Sequence, residues 1–459
     1  MEKKPKFMMG IAALSMLGLL AGCGNTGNAS TSNPGNSLAG NSESNTNNKV
    51  TLTYWSWGES DIPGYDKWLA AEVAKYEKAH PNITINVVAQ NTDTLTGAFQ
   101  SAAQTHSGPD IATLWATIPV LTQAWGDYIV PISDYASKSE LKHWLNTSEN
   151  TYSGKVWGMP VYLIGVPLVY NKDLFAKAGL NPNSPPTTWS ELLADAAQLK
   201  AHGITPFGMG NKDGYTGAWM FSLFGKQNLN SVKDLQNAII GKTPVTDPSI
   251  TGWYASLADL INKGYFNNDV SSLDLNNGWK VFPSGKAAMS WTTDGNAISW
   301  LKQLGGDSHV GVMKTPPFGT GKLATAYDAT QSSTVFITSW SKHKQQAADF
   351  LTFLHSKQSI DNFYTRTGGF PADDRFNTSL ITDPVATQLW KWDTTGTQVW
   401  LENYLPPMVD QNADIAGGQT ITSKSGTAAQ VAQLWKTVVG QWSTQHPDEL
   451  KSYKNWTQH

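Results

Sequence analysis

The sequence predicts an α/β protein of two domains, and three observations carry that prediction. The first is a strand–helix–strand succession near the start of the body: VTLTYWSW (50–57), a helix over 66–80, and ITINVVA (83–89). That order implies a mainly parallel sheet, flanked by helices, with right-handed crossovers. The second is that strand and helix signals keep alternating through the centre of the chain. The third is length: about 400 residues follow the N-terminal segments, more than one core usually supports.

The elements follow in order. DKWLAAEVAKYEKAH (66–80) places Trp68, Leu69, Val73 and Tyr76 on one stripe, and Pro81 stops the helix. Asn171 suits the N-cap of KDLFAKA, with Gly179 just beyond its end. Thr188-Trp189-Ser190-Glu191 is a capping box that opens LLADAAQLKAH, a helix ended by Gly203, with Trp189 packing at its start. SGKAAMSWTTDG (284–295) predicts a turn, a strand and a loop. KQQAADFLTFLHS (344–356) predicts a helix with Ala348, Leu351, Phe353 and Leu354 inward. No internal repeat is present.

The end of the first strand carries the first functional signal. Alternate strand residues share a face, so Trp55 and Trp57 point one way and Tyr54 and Ser56 the other. Trp55 lies deeper and reads as core. Trp57 stands where the strand runs out, and Gly58 lets the backbone turn before Glu59. Ligands of such sheets bind beyond the carboxyl ends of strands, which makes Trp57 and Glu59 a candidate aromatic plate and acceptor.

The N-terminus reads MEKKPKFMMGIAALSMLGLLAGCGN. Lys3, Lys4 and Lys6 precede an apolar stretch too short for a comfortable membrane span, so residues 1–22 are expected to be a secretory signal. Leu20-Ala21-Gly22-Cys23 resembles a bacterial lipoprotein signal, in which Cys23 is lipidated and becomes the mature N-terminus. Residues 23–49 then form a disordered tether, and the protein sits on the extracytoplasmic face of the membrane through that lipid. Cys23 is the one cysteine of the chain, which excludes a disulfide framework and a cysteine nucleophile from the body.

Charged residues make up 15% of the chain against a usual quarter, and the formal net charge is -3. That leaves no basic surface for nucleic acid. A neutral polar surface suggests an acidic habitat and a flat stability profile from neutral to acid pH. Twenty tryptophans exceed what two cores need for filling. No metal-ligand spacing occurs among the nine histidines, and no phosphate or dinucleotide loop is present, so neither a metal nor a cofactor is expected. Ser339-Trp340-Ser341-Lys342 matches Ser-x-x-Lys without its companion motifs. Paired carboxylates for glycoside hydrolysis stay open at this point, because their spacing is spatial.

Six motifs then occur in a telling order: GPDIATLWA (108–116), GKVWGMPVY (154–162), VYNKDLFAKAGL (169–180), PPTTWSELL (185–193), FPSGKAAMSWTTDG (282–295) and TGGFPA (367–372). Together they resemble the extracellular solute-binding proteins of carbohydrate ABC importers, the group that includes the maltodextrin binders. The resemblance implies a type II periplasmic-binding-protein-like fold, non-catalytic and monomeric, with a sugar in the cleft between two lobes and a membrane permease as partner. It places the first lobe at 50–163 and 323–365 and the second at 167–312 and 372–459. Hinge segments fall near 164–166, 313–322 and 366–371.

A sugar offers an apolar face to aromatic plates and a rim of hydroxyls to planar acceptors. The resemblance puts such contacts at Trp57, Glu59, Trp115, Tyr162, Tyr215, Trp219, Asp294 and Asp328. Two departures stand out. Asn296-Ala297 occurs where relatives often carry a tryptophan, so one aromatic wall is either missing or replaced by Trp291; Ile164 and Gly165 stand where some relatives place a polar contact. Asp110 reads as structural, capping the turn after GPD. The alternatives are the same fold binding a polyol or a sugar acid, an exported carbohydrate-active enzyme, or a surface scaffold.

Overall fold

The computed structural model describes residues 49–457, which form one compact unit. The signal, Cys23 and nearly all of the tether lie outside the described residues.

The opening βαβ unit forms as its pattern predicts. Strand β1 (Val50–Ser56) runs parallel to β2 (Ile83–Ala89), with Val50 opposite Ile83 and Ser56 opposite Ala89. Helix α1 (Tyr65–Ala79) between them buries Trp68, Leu69, Val73 and Tyr76. Helix α2 (Thr92–Thr105) starts at Asn91, whose side chain accepts the Asp93 N–H, and leads into β3 (Ile111–Trp115), parallel to β1. Helix α3 (Ile118–Trp125) and the short β4 (Ile129–Val130) follow. The strand Ser333–Thr338 returns much later to lie antiparallel between β3 and β4.

A second sheet has the order Thr205–Phe207, Ala287–Trp291, Leu168–Asn171, Val310–Met313. Its first pair is parallel and the other two are antiparallel. A third sheet links the first two. The chain passes from Met159–Pro160, on the first sheet, through Tyr162–Gly165 to Leu168–Asn171 on the second. It returns from Val310–Met313 through Tyr327–Gln331 to Ser333–Thr338. Phe370–Pro371 crosses a third time, and all three crossing strands pair in this sheet. The two lobes therefore share a three-strand connection. Its second strand, Tyr327–Gln331, lies later in the chain than the expected 313–322, where no strand forms beyond Met313.

The sheets are mixed, not mainly parallel. Each lobe receives a strand that re-enters from the other lobe and so runs against its neighbours, as Ser333–Thr338 does beside β3. Caps form where expected: Asn171 accepts the Leu174 N–H, and Thr188 with Glu191 makes a reciprocal capping box. In the helix Lys344–Leu354 the buried phenylalanine is Phe350, while Phe353 is half-buried; Ala347, Ala348, Leu351 and Leu354 complete the inner face. Asp110 caps no helix. Its carboxylate accepts from the Thr53 N–H and the Ser341 hydroxyl, which ties the loop before β3 to β1 and to the turn after the strand Ser333–Thr338. That bond also occupies the second serine of the Ser-x-x-Lys motif.

Candidate ligand cleft

Tyr54-Trp55-Ser56-Trp57-Gly58-Glu59-Ser60 delivers the first wall. Trp57 leaves β1 with its indole N–H donating to Thr92 Oγ1 over 2.9 Å. Gly58 follows because the chain there presses on Tyr65; a Cβ at this position would stand 2.7 Å from its ring. Trp115, at the end of β3, meets Trp57 edge-on, with ring centroids 5.2 Å apart at 66°. Helix α2 supplies the adjoining rim. It buries Leu95, Phe99, Ala102 and Ala103, which leaves Asp93, Thr96, Gln100 and Gln104 aligned along the neighbouring stripe, facing the opening.

The opposite wall comes from two distant segments. The helix Tyr215–Met220 brings Tyr215 and Trp219, and the segment after the strand Gln398–Val399 brings Trp400 and Glu402. Trp219 and Trp400 meet edge-on at 5.6 Å and 79°. The floor holds Asp61, Ile164, Thr330 and Ser332, close to the connecting sheet. The enclosed volume is about 1220 Å³, above the roughly 300–1,000 Å³ usual for small-ligand pockets.

Asp61 is the carboxylate of the floor and is buried, at 5% exposure. Its Oδ2 accepts from the Ser332 hydroxyl at 2.6 Å and the Tyr162 hydroxyl at 3.2 Å. Burial nevertheless pushes its carboxyl up to about 6. Burial likewise raises Asp410 to about 7, and burial together with the charge of Asp410 raises Glu402 well above the usual carboxylate range. The Glu402 Oε2 accepts the Trp400 indole N–H at 3.1 Å, so this acid and its neighbouring ring are held together.

The chain that folds into these two α/β lobes is matched by the model of the bacterial extracellular solute-binding proteins over residues 59–360. The chain belongs to that family. Among curated relatives, the solute-binding protein is 28% identical over 314 residues to a binding protein of Brucella abortus, covering 66% of this chain and 72% of the relative. It is 29% identical over 258 residues to the sn-glycerol-3-phosphate-binding periplasmic protein UgpB of Escherichia coli, covering 53% of this chain and 52% of UgpB. Among solved structures, a chitin oligosaccharide binding protein superposes with a TM-score of 0.77 at 22% identity, covering 86% of this chain and 99% of that one. The solute-binding protein RafE in complex with raffinose superposes with a TM-score of 0.70 at 18% identity, covering 85% and 99%. These superpositions show the periplasmic-binding-protein-like fold.

The cleft of the solute-binding protein brings together Trp57, Trp115, Tyr215 and Trp219 from the sequence-predicted set. Five others lie elsewhere. Glu59 is exposed and points away; its two oxygens accept the N–H groups of Gly64 and Asp66, each at 2.9 Å, capping a helix whose own N-cap glycine has no side chain. Tyr162 is fully buried behind the floor, stacked on Phe363 at 5.9 Å, and reaches the cleft only through Asp61. Trp291 is core: it stacks on Phe207 at 5.0 Å and donates to Thr315. Asp294 accepts from the Gly165 N–H at 2.6 Å and the Tyr327 hydroxyl at 3.1 Å, inside the connecting sheet. Asp328 forms a buried ion pair with Lys226.

The wall expected from Trp291 comes from Trp400 instead. Ile164 does line the floor. Gly165 sits behind it, where any Cβ would strike Asp294, Asp393 and the Tyr327 ring. Sequence reasoning missed Asp61, Trp400, Glu402 and Asp410. One signal was available: Trp400-Leu401-Glu402 repeats the spacing of Trp57-Gly58-Glu59, an aromatic with an acid two residues on.

Proposed function

We propose that this solute-binding protein is the receptor of an ABC-type importer, capturing an oligosaccharide in the cleft and delivering it to a membrane permease. The observation that carries the reading is the pair of tryptophan walls, Trp57 with Trp115 and Trp219 with Trp400, facing one cleft with polar acceptors between them. Sugar rings pack their C–H faces on such plates and donate hydroxyls to the acceptors. The volume favours more than one sugar ring. Relatives named for chitin oligosaccharide and raffinose support the sugar class.

The glycerol-phosphate relatives and the sugar-acid alternative are disfavoured by charge. Lys212 is the only lysine or arginine among the described residues lining the cleft, against carboxylates from Asp61, Asp93, Asp213, Asp274, Glu402 and Asp410. A phosphate or carboxylate ligand would enter a field of its own sign. The reading assigns no catalytic residue. It takes residues 50–163 and 323–365 as one lobe and 167–312 with 372–459 as the other. Cys23 carries the lipid, and a single copy suffices for the cleft.

The test is tryptophan fluorescence of the domain without its tether, titrated with mono- and oligosaccharides, with chromatography of the sugar afterwards. A saturable change with one sugar class and no new products is expected. New products would make it an enzyme, and no response to any sugar would end the sugar reading. Cys23→Ser should release the full chain from membranes.

A further inference from the structure

We propose that the sugar taken by this cleft carries a protonated amine, seated among Asp61, Glu402 and Asp410, which line it together. The proposal rests on the cleft being a sugar site. It names the class of sugar.

The cleft is built with acceptors that the protein does not satisfy. Asp61 is buried to 5% exposure, with Oδ2 held from behind by two hydroxyls and Oδ1 left without a partner among the described residues. Asp410 Oδ1 is buried and unpartnered as well. Leaving a buried carboxylate oxygen without a donor is costly. A neutral sugar hydroxyl can supply one donor to each oxygen but leaves the charge. An ammonium group supplies three donors and the opposite charge at once.

Two further features favour an organic cation. Trp219, Trp400 and Tyr215 stand beside these acids, and aromatic faces attract ammonium groups. Among the described residues no three His, Asp or Glu side chains converge closely enough to hold a metal ion.

The groups near Asp410 are Glu402, Asp414, Tyr215 and Tyr254, while Glu402 in turn lies near Asp61. Lys212 lies on the lining, and His446 stands 3.9 Å from Glu449. With acids this close and raised by burial, a bound ammonium drives protons off them. A neutral sugar does not.

The experiment compares glucosamine, galactosamine and β-1,4-linked glucosamine oligomers with their N-acetylated counterparts, near neutral pH. Calorimetry in buffers of differing ionisation heat reads affinity and proton release together. At least one free amine should bind ten-fold or more tightly than its N-acetylated form, with protons released. Asp410→Asn should bring that ratio towards one, and Glu402→Gln gives the same readout should the first variant fail to fold. N-acetylated or other neutral sugars binding as well as the amines would overturn the amine while leaving the sugar reading. Failure of every sugar with a folded protein would overturn both.

Discussion

The Tyr215 hydroxyl donates to the Asp93 carboxylate over 2.8 Å, joining the first turn of α2 to the first turn of the helix Tyr215–Met220 across the mouth of the cleft. Neither residue needs the other for its own fold. Asp93 sits on an exposed rim, and Tyr215 is held by its ring. The bond is therefore a tie between lobes, and a second tie lies in the contacts of Trp125 with Tyr453, edge-on, and with Trp456, tilted, each at 6.4 Å.

Tyr215→Phe keeps the ring and removes the tie. Losing one such bond is worth about 1 kcal/mol, so sugar affinity should fall about fivefold. The loss should appear in the dissociation rate. Stopped-flow fluorescence checks this; an unchanged release rate would mean the tie does not retain the ligand.

The tryptophans separate into plates and supports. Trp115 is half-buried at the cleft and should be the cleaner probe. Trp115→Ala is expected to weaken sugar binding by at least about 1.4 kcal/mol, a tenfold change, with little loss of melting temperature. Trp57 is 5% exposed, and its N–H holds Thr92 at the start of α2. Trp57→Ala should lose binding and also cost about 3–5 kcal/mol of stability, read by denaturant unfolding.

Glu59→Gln should behave in the opposite way. Its carboxylate serves the N-terminus of α1 and no part of the cleft. Stability should drop by about 0.5–1 kcal/mol, with sugar affinity unchanged. A large affinity loss would return Glu59 to the site.

That contrast marks what the sequence could reveal. The βαβ unit, the caps at Asn171 and Thr188, and the end of β1 as a binding edge follow from local rules: periodicity, capping chemistry and strand direction. Whether Glu59 or Asp61 faces the cleft depends on how one turn closes, through Gly58 pressed on Tyr65, and no local rule sets it. Asp294 and Asp328 look like ligand acceptors by position along the chain. Their partners, Gly165, Tyr327 and Lys226, are brought together only by the connecting sheet. Trp400 lies some 340 residues from Trp57 in sequence, so its place on the opposite wall is a property of tertiary structure alone.

Acidification should stabilise the protein. Burial holds Asp61 and Asp294 at about 6, and Glu149 and Asp410 at about 7. Carboxyls with folded values above their unfolded ones bind more protons when folded, so stability falls as pH rises from about 4 to 7. Asp373 acts in reverse. Burial opposes its ionisation, but hydrogen bonds from Arg375 and His355 hold it at about 2, so its contribution is lost as pH falls from about 4 through 2. The melting temperature should therefore peak near pH 4–5 and decline towards neutrality. A flat profile, as low surface charge alone would suggest, would mean these acids are better solvated than the fold indicates.

Gly165 has a consequence for how such a receptor can change its preference. Position 165 admits nothing larger than hydrogen, because the carboxyls of Asp294 and Asp393, from two helices, and the Tyr327 ring, from the connecting sheet, converge on it. The rim residues Asp93, Gln100 and Gln104 and the wall residues Trp400 and Asp410 lie on other segments, outside that constraint. Mutation can thus redraw the cargo list one wall residue at a time without touching the connecting sheet. A receptor of this family can acquire new ligands by that route.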